Sequence, residues 1–334
     1  MARPGDAATL VIQTAFLGDV VLTTPLLAAL AERFGPVDVV TTPAAAALLE
    51  THPAVRQVIR HDKHGSERGM AGMLRLAGRL RAERYSRVYL PHQSWRSGLL
   101  ARFAGIPERI GFAHAPARWC YTRRVALPKL AHEGDRLLAL ADAAPGALPT
   151  LGITAADQTA ASAWLAAERV PQRFVVMAPG SVWGTKRWGK YPALAAALDD
   201  FVVIIGGAED HDLGEAIRQA IPGRGANGCG SLSLRQAAAV LQRAAVLVTN
   251  DSAPMHLAQA TGTRTVALFG PTAPVLGFAP RGRDDRVVEV AGLSCRPCSR
   301  HGPMRCPLGH HRCMVDLEVS EVAEIVRRQL ATMQ

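Results

Sequence analysis

Apolar residues fall along this chain in two alternating patterns: short continuous runs, and longer stretches with apolar positions three and four apart. Ala8 to Thr14 is a continuous run of buried-strand type, and the turn Ala15-Phe16-Leu17-Gly18 follows it. From Asp19 to Phe34 the apolar positions recur at helical spacing, with Pro25 tolerable near the start and Gly35-Pro36 as the stop. Val37 to Thr41 then resumes as a strand. Strand, helix and strand in that order make a βαβ unit, and such units build parallel sheets. Two further strands are predicted at 55–59 and 87–90, with a basic helix over 70–84 between them. Pro, Gly and Thr cluster at 145–152 and a helical run follows at 155–169, which places a domain boundary between 145 and 170.

The second half is more regular. Strands are predicted over 174–178, 201–205, 245–249 and 265–269, with helices over 191–199, 210–221, 234–243 and 254–261 and a terminal helix over 319–330. Each strand gives way to a glycine-bearing or polar turn, as in a doubly wound sheet, whose ligands sit at the carboxyl ends of the strands. The expected fold is α/β, with two Rossmann-like doubly wound domains at 1–160 and 161–315 facing across a cleft, and a terminal helix at 316–334.

Composition narrows the class. At 334 residues the chain is about twice the usual domain length. Its 49% apolar and 20% charged residues suit a globular protein with real cores and exclude collagen, coiled coil and wholesale disorder. No apolar run reaches the ~18 residues of a membrane span. The apolar stretch from Ala7 is broken by Gln13 and Asp19 and has no basic flank beyond Arg3, so it is unlike a signal peptide and a cytoplasmic location is expected. The formal charge of +10 is unevenly placed. Between Arg56 and Arg124 there are fifteen Lys/Arg against four Asp/Glu, a larger excess than that of the whole chain, and His61, His64, His92 and His114 lie there too. Such a field favours an anionic partner.

Three segments carry the candidate chemistry. Asn250-Asp251-Ser252-Ala253-Pro254-Met255-His256 follows a strand and opens a helix, with Asp251 or Ser252 where a cap belongs and Pro254 in the first turn. A helix start offers N–H groups and a positive dipole end, which suit a diphosphate. Pro179-Gly180-Ser181-Val182-Trp183-Gly184-Thr185-Lys186-Arg187-Trp188 also follows a strand. Its small residues admit an anion to the backbone, its hydroxyls donate, and Lys186 with Arg187 neutralises phosphate charge. The spacing from Gly180 to Lys186 is not that of a Walker A loop. Third, Gly18-Asp19 puts a carboxylate at the start of the first helix, where the dipole keeps it ionised and able to take a proton from a hydroxyl.

Together these segments resemble glycosyltransferase family 9, the lipopolysaccharide heptosyltransferases, from residue 10 to about 316. The matching residues are Phe16-Leu17-Gly18-Asp19 with Thr23-Thr24-Pro25, Pro179-Gly180-Ser181 with Lys186-Arg187-Trp188, and Asn250 to His256 running on through Ala267-Leu268-Phe269-Gly270-Pro271-Thr272. The resemblance implies the GT-B architecture, with an acceptor-binding N-terminal domain and a donor-binding C-terminal one. It also implies inverting transfer of heptose from ADP-heptose, with no metal or cofactor required, to Kdo–lipid A or a heptose already attached to it. Carried over, Asp19 is the catalytic base. Ser181, Thr185, Lys186 and Arg187 are diphosphate contacts, Asp251, Ser252, Met255 and His256 form the donor-site helix start, and Glu209 is a ribose-binding acid. Ala253 departs from the family's usual glycine. The basic stretch at 56–124 would hold the acceptor's phosphates and carboxylates, and a lipid-borne acceptor implies peripheral contact with the inner membrane.

Two features stand apart. Asp210-His211-Asp212 spells the D-x-D pattern of metal-dependent glycosyltransferases, yet it falls where a helix start favours acids, and it is taken as one. Cys295, Cys298, Cys306 and Cys313 cluster as a candidate structural zinc site, with His301, His310 and His311 as competing ligands. Two rival functions remain open. One is another nucleotide-sugar GT-B enzyme, either a different glycosyltransferase or an epimerase. The other is a basic nucleic-acid-binding protein with a zinc knot, against which the 5% aromatic content argues, giving an expectation of no nucleic-acid partner.

Overall fold

The structure is a computed structural model describing residues 8–63, 65–129 and 131–332. Arg3, Ala7 and His64, named above, lie outside the described residues. The chain divides into two compact units between Gly152 and Ile153. The first carries β1 (Thr9–Ile12), β2 (Val37–Thr41), β3 (Val55–Arg60), β4 (Arg87–Leu90), β5 (Glu108–Phe112) and β6 (Arg123–Val125) in one parallel sheet of order β3-β2-β1-β4-β5-β6. The second carries β7 (Val175–Ala178), β8 (Val202–Ile204), β9 (Gly225–Asn227), β10 (Val246–Asn250), β11 (Thr265–Phe269) and β12 (Arg286–Glu289), again parallel, in the order β12-β11-β10-β7-β8-β9. The two orders are the same when each unit is numbered from its own first strand. Strand order therefore reverses between β1 and β4 in one unit and between β7 and β10 in the other, the crevice where doubly wound sheets bind ligands.

The central strands are fully buried because helices cover both faces, which is why they read as continuous apolar runs rather than alternating ones. Leu10, Ile12, Val88 and Leu90 pack with Leu76 and Leu80 in the first core. Val175, Val246, Val248 and Leu268 pack with Leu194, Val322 and Val326 in the second. The helix Leu17–Phe34 accommodates Pro25 well inside its length. Proline cannot donate to the Val21 carbonyl four residues back, and the Thr24 hydroxyl donates there instead at 2.8 Å.

The structure departs from the sequence expectations at the edges. Strands β5, β6, β9 and β12 were not expected, nor were the helices Pro43–Leu49, Trp95–Phe103 and Glu133–Leu138. Three of those strands are short, lie at or next to a sheet edge and carry charge or glycine, as Arg123-Arg124-Val125 does, which blunts edges and also hides them. The boundary also moves from 160 to 152/153. Helix Ala155–Ala167 packs on helix Leu234–Leu241, and Asp157 accepts from Arg235 at 2.9 Å, so it belongs to the second unit. The terminal helix Val319–Ala331 is part of that unit as well, since Val322, Val326 and Leu330 are buried in its core. Among the described residues no helix is long and apolar enough to cross a membrane.

Candidate active site

In the first unit the turn after β1 brings Asp19 into the first turn of helix Leu17–Phe34, where its carboxylate accepts from the Phe16 N–H at 3.2 Å. The turn is tied down on both sides. Gln13 accepts from the Ala15 N–H at 3.2 Å and donates to Thr23 at 2.9 Å. Lys63, from the segment after β3, donates to the Thr14 carbonyl at 2.5 Å, and the Thr14 hydroxyl pairs with His92, from the segment after β4, at 3.1 Å. Burial, then the nearby Lys63 ammonium, holds the His92 pKa down to about 4. Burial and Arg96 lower that of Lys63. Thr14 and Lys63 line a cavity of about 440 Å³ together with Arg68, Trp95 and Arg96. The cavity thus sits at the β1/β4 reversal, beside the turn that carries Asp19. Among the described lining residues Glu67 is the single carboxylate, and it faces His61 at 3.1 Å and Arg79 at 3.3 Å.

In the second unit the segments after β7 and β10 meet at the corresponding reversal. Lys186 donates to the Asp251 carboxylate at 2.7 Å and to its backbone carbonyl at 3.0 Å, both side chains being buried. The Thr272 hydroxyl donates to the same carboxylate oxygen at 2.6 Å. Asn250, wholly buried, donates to the Pro179 carbonyl at 2.8 Å and accepts from the Trp188 N–H and the Tyr191 hydroxyl, each at 3.3 Å. Arg187 is exposed, its Nε held by the Ser181 carbonyl at 2.8 Å. Ser181 accepts from the Trp183 N–H at 3.3 Å, and Glu209 is exposed in the turn Ala208–Asp210 after β8. A Cβ at Gly180 would lie 2.2 Å from the Asp210 carboxylate, so that side chain would have to move to admit one.

Five residues assigned from the sequence are placed in ways the sequence did not show. Ser252 occupies the N-cap position of helix Ala253–Thr261, but its hydroxyl makes no capping hydrogen bond, and Asp251 is turned away to Lys186. Met255 is wholly buried against Ala267 and Phe269, so it supports the site from beneath and offers no surface to a donor. His256 is buried too, edge-on to Phe278 at 6.4 Å. The Thr185 hydroxyl donates to the Pro303 carbonyl and is thereby spent within the fold. The D-x-D segment is a helix start: Asp210 turns inward to accept from the Gly207 N–H at 3.2 Å, while Asp212 points to solvent.

The cysteine-rich segment packs against the site of the second unit. Among the described residues no group of three or more His, Cys, Asp or Glu is arranged to hold a metal ion, and the four thiols are free. Burial pushes the thiols of Cys298 and Cys313 up, the latter to about 11, and Cys298 donates to the Cys295 carbonyl at 3.2 Å. The segment acts as a strap. Arg296 donates to the carbonyls of Phe269, Gly270, Val290 and Thr272 and to Glu289, holding the turn that presents Thr272. Nearby, His301 stacks on Trp183 at 6.1 Å and His311 pairs with the Thr185 carbonyl at 2.8 Å. Asn250, Thr272 and Arg296 are the site-building residues that the sequence reading did not assign. A buried polar residue ending a strand was the available signal for Asn250, whereas nothing local marked Arg296.

The buried His92 makes the first unit acid-sensitive. Its folded pKa lies below the ordinary 6.5, so the unfolded chain binds the proton first and stability falls as pH drops from 6.5 toward 4. Between pH 6.5 and 5 this amounts to about 2 kcal/mol. Urea unfolding at the two pH values should show His92→Gln losing less stability than the parent by roughly that amount. Equal losses would contradict the assignment.

Known proteins resemble this chain along most of its length. The family model of glycosyltransferase family 9 (heptosyltransferase) matches residues 73–307. Lipopolysaccharide heptosyltransferase 2 of Escherichia coli (strain K12) is 28% identical, the match covering 94% of this chain and 96% of that protein. The solved structure of the E. coli ADP-heptose lipopolysaccharide heptosyltransferase II superposes with a TM-score of 0.79 at 27% identity, over 98% of this chain and 99% of that one. A family 9 glycosyltransferase from Veillonella parvula shares the fold with a TM-score of 0.85 at 22% identity, over 99% and 100% of the two chains. Two parallel doubly wound sheets, each with its polar residues gathered where strand order reverses, are the two halves of a GT-B glycosyltransferase, and the chain belongs to glycosyltransferase family 9, the heptosyltransferases.

Proposed function

We propose that this glycosyltransferase moves heptose from ADP-heptose to an anionic, lipid-borne precursor of the lipopolysaccharide inner core, working at the cytoplasmic surface of the membrane that holds the acceptor. The observation that carries the reading is the buried Lys186–Asp251 pair joined to Thr272 at the β7/β10 reversal. The sugar and the nucleotide are those of the E. coli relatives, a lipopolysaccharide heptosyltransferase 2 and an ADP-heptose heptosyltransferase II.

The chemistry then follows from where charge develops. An acceptor hydroxyl oxygen attacks the anomeric carbon as its proton passes to the Asp19 carboxylate. The bond to the diphosphate breaks on the opposite face, ADP carries away the electron pair, and the configuration inverts. Lys186 spends two of its three N–H donors on Asp251, which leaves one for a phosphate oxygen. With Arg187 and the uncapped start of helix Ala253–Thr261, it meets the negative charge gathering on the departing diphosphate. This cationic field takes the part a divalent metal plays in other glycosyltransferases, and full activity in EDTA is the expected result. Lys63, Arg68 and Arg96, around the cavity beside the Asp19 turn, suit the acceptor's phosphates and carboxylates.

Asp19→Ala should fold, bind ADP as the parent does and lose at least about a thousandfold in kcat, in keeping with a lost general base. Retained turnover would remove Asp19 from that role. Lys186→Ala removes a buried cation and leaves the Asp251 carboxylate uncompensated, at a cost of about 3–5 kcal/mol to stability. Lys186→Met, which keeps the packing volume, should still weaken ADP binding by at least about tenfold as measured by calorimetry.

The nucleotide is tested by thermal shift with ADP, UDP, GDP and CDP at matched concentrations. A ligand at 100 times its Kd adds about 2.7 kcal/mol, a shift of a few degrees, and ADP alone should produce it. A larger shift with UDP or GDP would keep the fold and overturn the donor.

A further inference from the structure

The helix Gly69–Ala82 and the start of the helix Trp95–Phe103 leave an outward face that extends from the rim of the cavity proposed for the acceptor. The first helix turns Met73, Leu76, Ala77 and Leu80 into the core and leaves Met70, Leu74, Arg75 and Arg79 outside. Met70 is 52% exposed, Leu74 49% and Trp95, beside them at the cavity mouth, 48%. The two helices pack together and are pinned by Arg81, which donates to the Phe103 carbonyl at 2.5 Å. Neither helix contains an acidic residue, whereas between them they carry five arginines. The Arg96 guanidinium lies 5.3 Å over the Trp95 ring, an aromatic–cation pair at the edge of the apolar patch.

We propose that this face docks on an anionic lipid bilayer, with Met70, Leu74 and Trp95 entering the headgroup boundary and Arg75 and Arg79 meeting lipid phosphates. The argument is one of complementarity. Large apolar side chains held out in water on a helix edged by cations match the interface between acyl chains and phosphates, where long cationic side chains reach up to the headgroups and tryptophan settles. A nucleic acid would use the arginines but gain nothing from Met70 and Leu74. A second copy of the same face would set arginine against arginine. Docked this way, the cavity that Met70 and Trp95 rim opens at the lipid surface, so an acceptor anchored in the bilayer reaches the Asp19 turn without leaving it. The inference rests on the reading that the acceptor is lipid-borne.

The test is flotation of the full chain with vesicles of phosphatidylcholine alone or mixed with phosphatidylglycerol, at low and at high salt. The parent should bind the mixed vesicles at low salt, bind neutral ones weakly and come off in salt. The double variant Leu74→Ser/Arg75→Ser, altered only at outward positions away from the cavity lining, should lose at least tenfold in partitioning. It should transfer normally to a deacylated acceptor and slowly to one embedded in vesicles. Should that variant misfold, Ala71→Glu, which adds a carboxylate to the same exposed face, should do the same. Unchanged vesicle binding by a folded variant would overturn the proposal, and so would a parent that ignores anionic vesicles. A parent dimer in sedimentation velocity that dissociates in the variant would instead assign the face to a second copy. Loss of transfer to both acceptors by the parent, with vesicle binding still dependent on Leu74 and Arg75, would defeat the functional reading and leave the docking face standing.

Discussion

The second unit is organised around one buried ion pair. Strand order reverses between β7 and β10, so the segments leaving those strands run to opposite sides and nothing in the sheet itself holds them together. Lys186 and Asp251 close that gap, with the ammonium reaching both the carboxylate and the backbone carbonyl of the same residue. Taking both charges out of water costs several kcal/mol for each, which the attraction repays only when the remaining lone pairs are also satisfied. Thr272 satisfies one of them, and Asn250 ties the same two segments together from beneath without charge. The pair therefore defines a geometry more than it adds stability. It keeps a cation fixed and partly unspent where the strand order reverses.

That arrangement explains why the cysteine-rich segment exists in the form it does. The carbonyls at the end of β11 and in the turn after it need donors, and a loop approaching from outside the sheet has to provide them. Arg296 does so with one side chain, because a planar guanidinium carries five N–H groups in a rigid fork and loses little rotamer freedom for each bond it makes. A lysine there would reach one or two of those carbonyls and leave the turn free to shift, and Thr272 with it. The strap also bears on the other segment, through Pro303 and His311 against Thr185. Clustered cysteines suggested a metal knot from their spacing. Arg296, between two of those cysteines, holds the neighbouring turn by hydrogen bonds.

What was legible in the sequence and what was not divides on locality. Strands β1, β2, β7, β10 and β11 are buried on both faces and so announce themselves as unbroken apolar runs. Even there a polar residue hides a tertiary fact. Asp38 in Val37-Asp38-Val39-Val40-Thr41 is wholly buried, and its carboxylate is held by Arg56 at 2.6 Å and by the Tyr85 hydroxyl at 2.6 Å, residues 18 and 47 positions away. Edge strands such as Gly225–Asn227 carry no pattern, because one side of an edge faces solvent and its composition serves to avoid pairing. Among candidate site residues, Asp19, Lys186 and Asp251 were marked by motifs that resemble the family, and the structure places each in a turn after a strand. Met255 and Thr185 looked like contacts for the same reason, yet one faces the core and the other the strap. Direction of a side chain at a helix start depends on what packs behind it, and local sequence holds no record of that.

The two units share a topology and differ in what their loops put at the reversal. In the second, a lysine and an aspartate neutralise each other in a dry setting, where one spare donor on a fixed ammonium is worth most. In the first, Lys63, Arg68 and Arg96 surround an open cavity with Glu67 as the single carboxylate among the described lining residues, a setting that favours anions. A fixed site suits a nucleotide-sugar of defined shape, and an open field suits a large, multiply charged partner that has to be drawn in and then positioned. The sheet gives each loop set the same place to stand, so the difference between the two halves is written in the loops alone. The acid-free helices Gly69–Ala82 and Trp95–Phe103 extend the positive field from the cavity outward over an apolar surface.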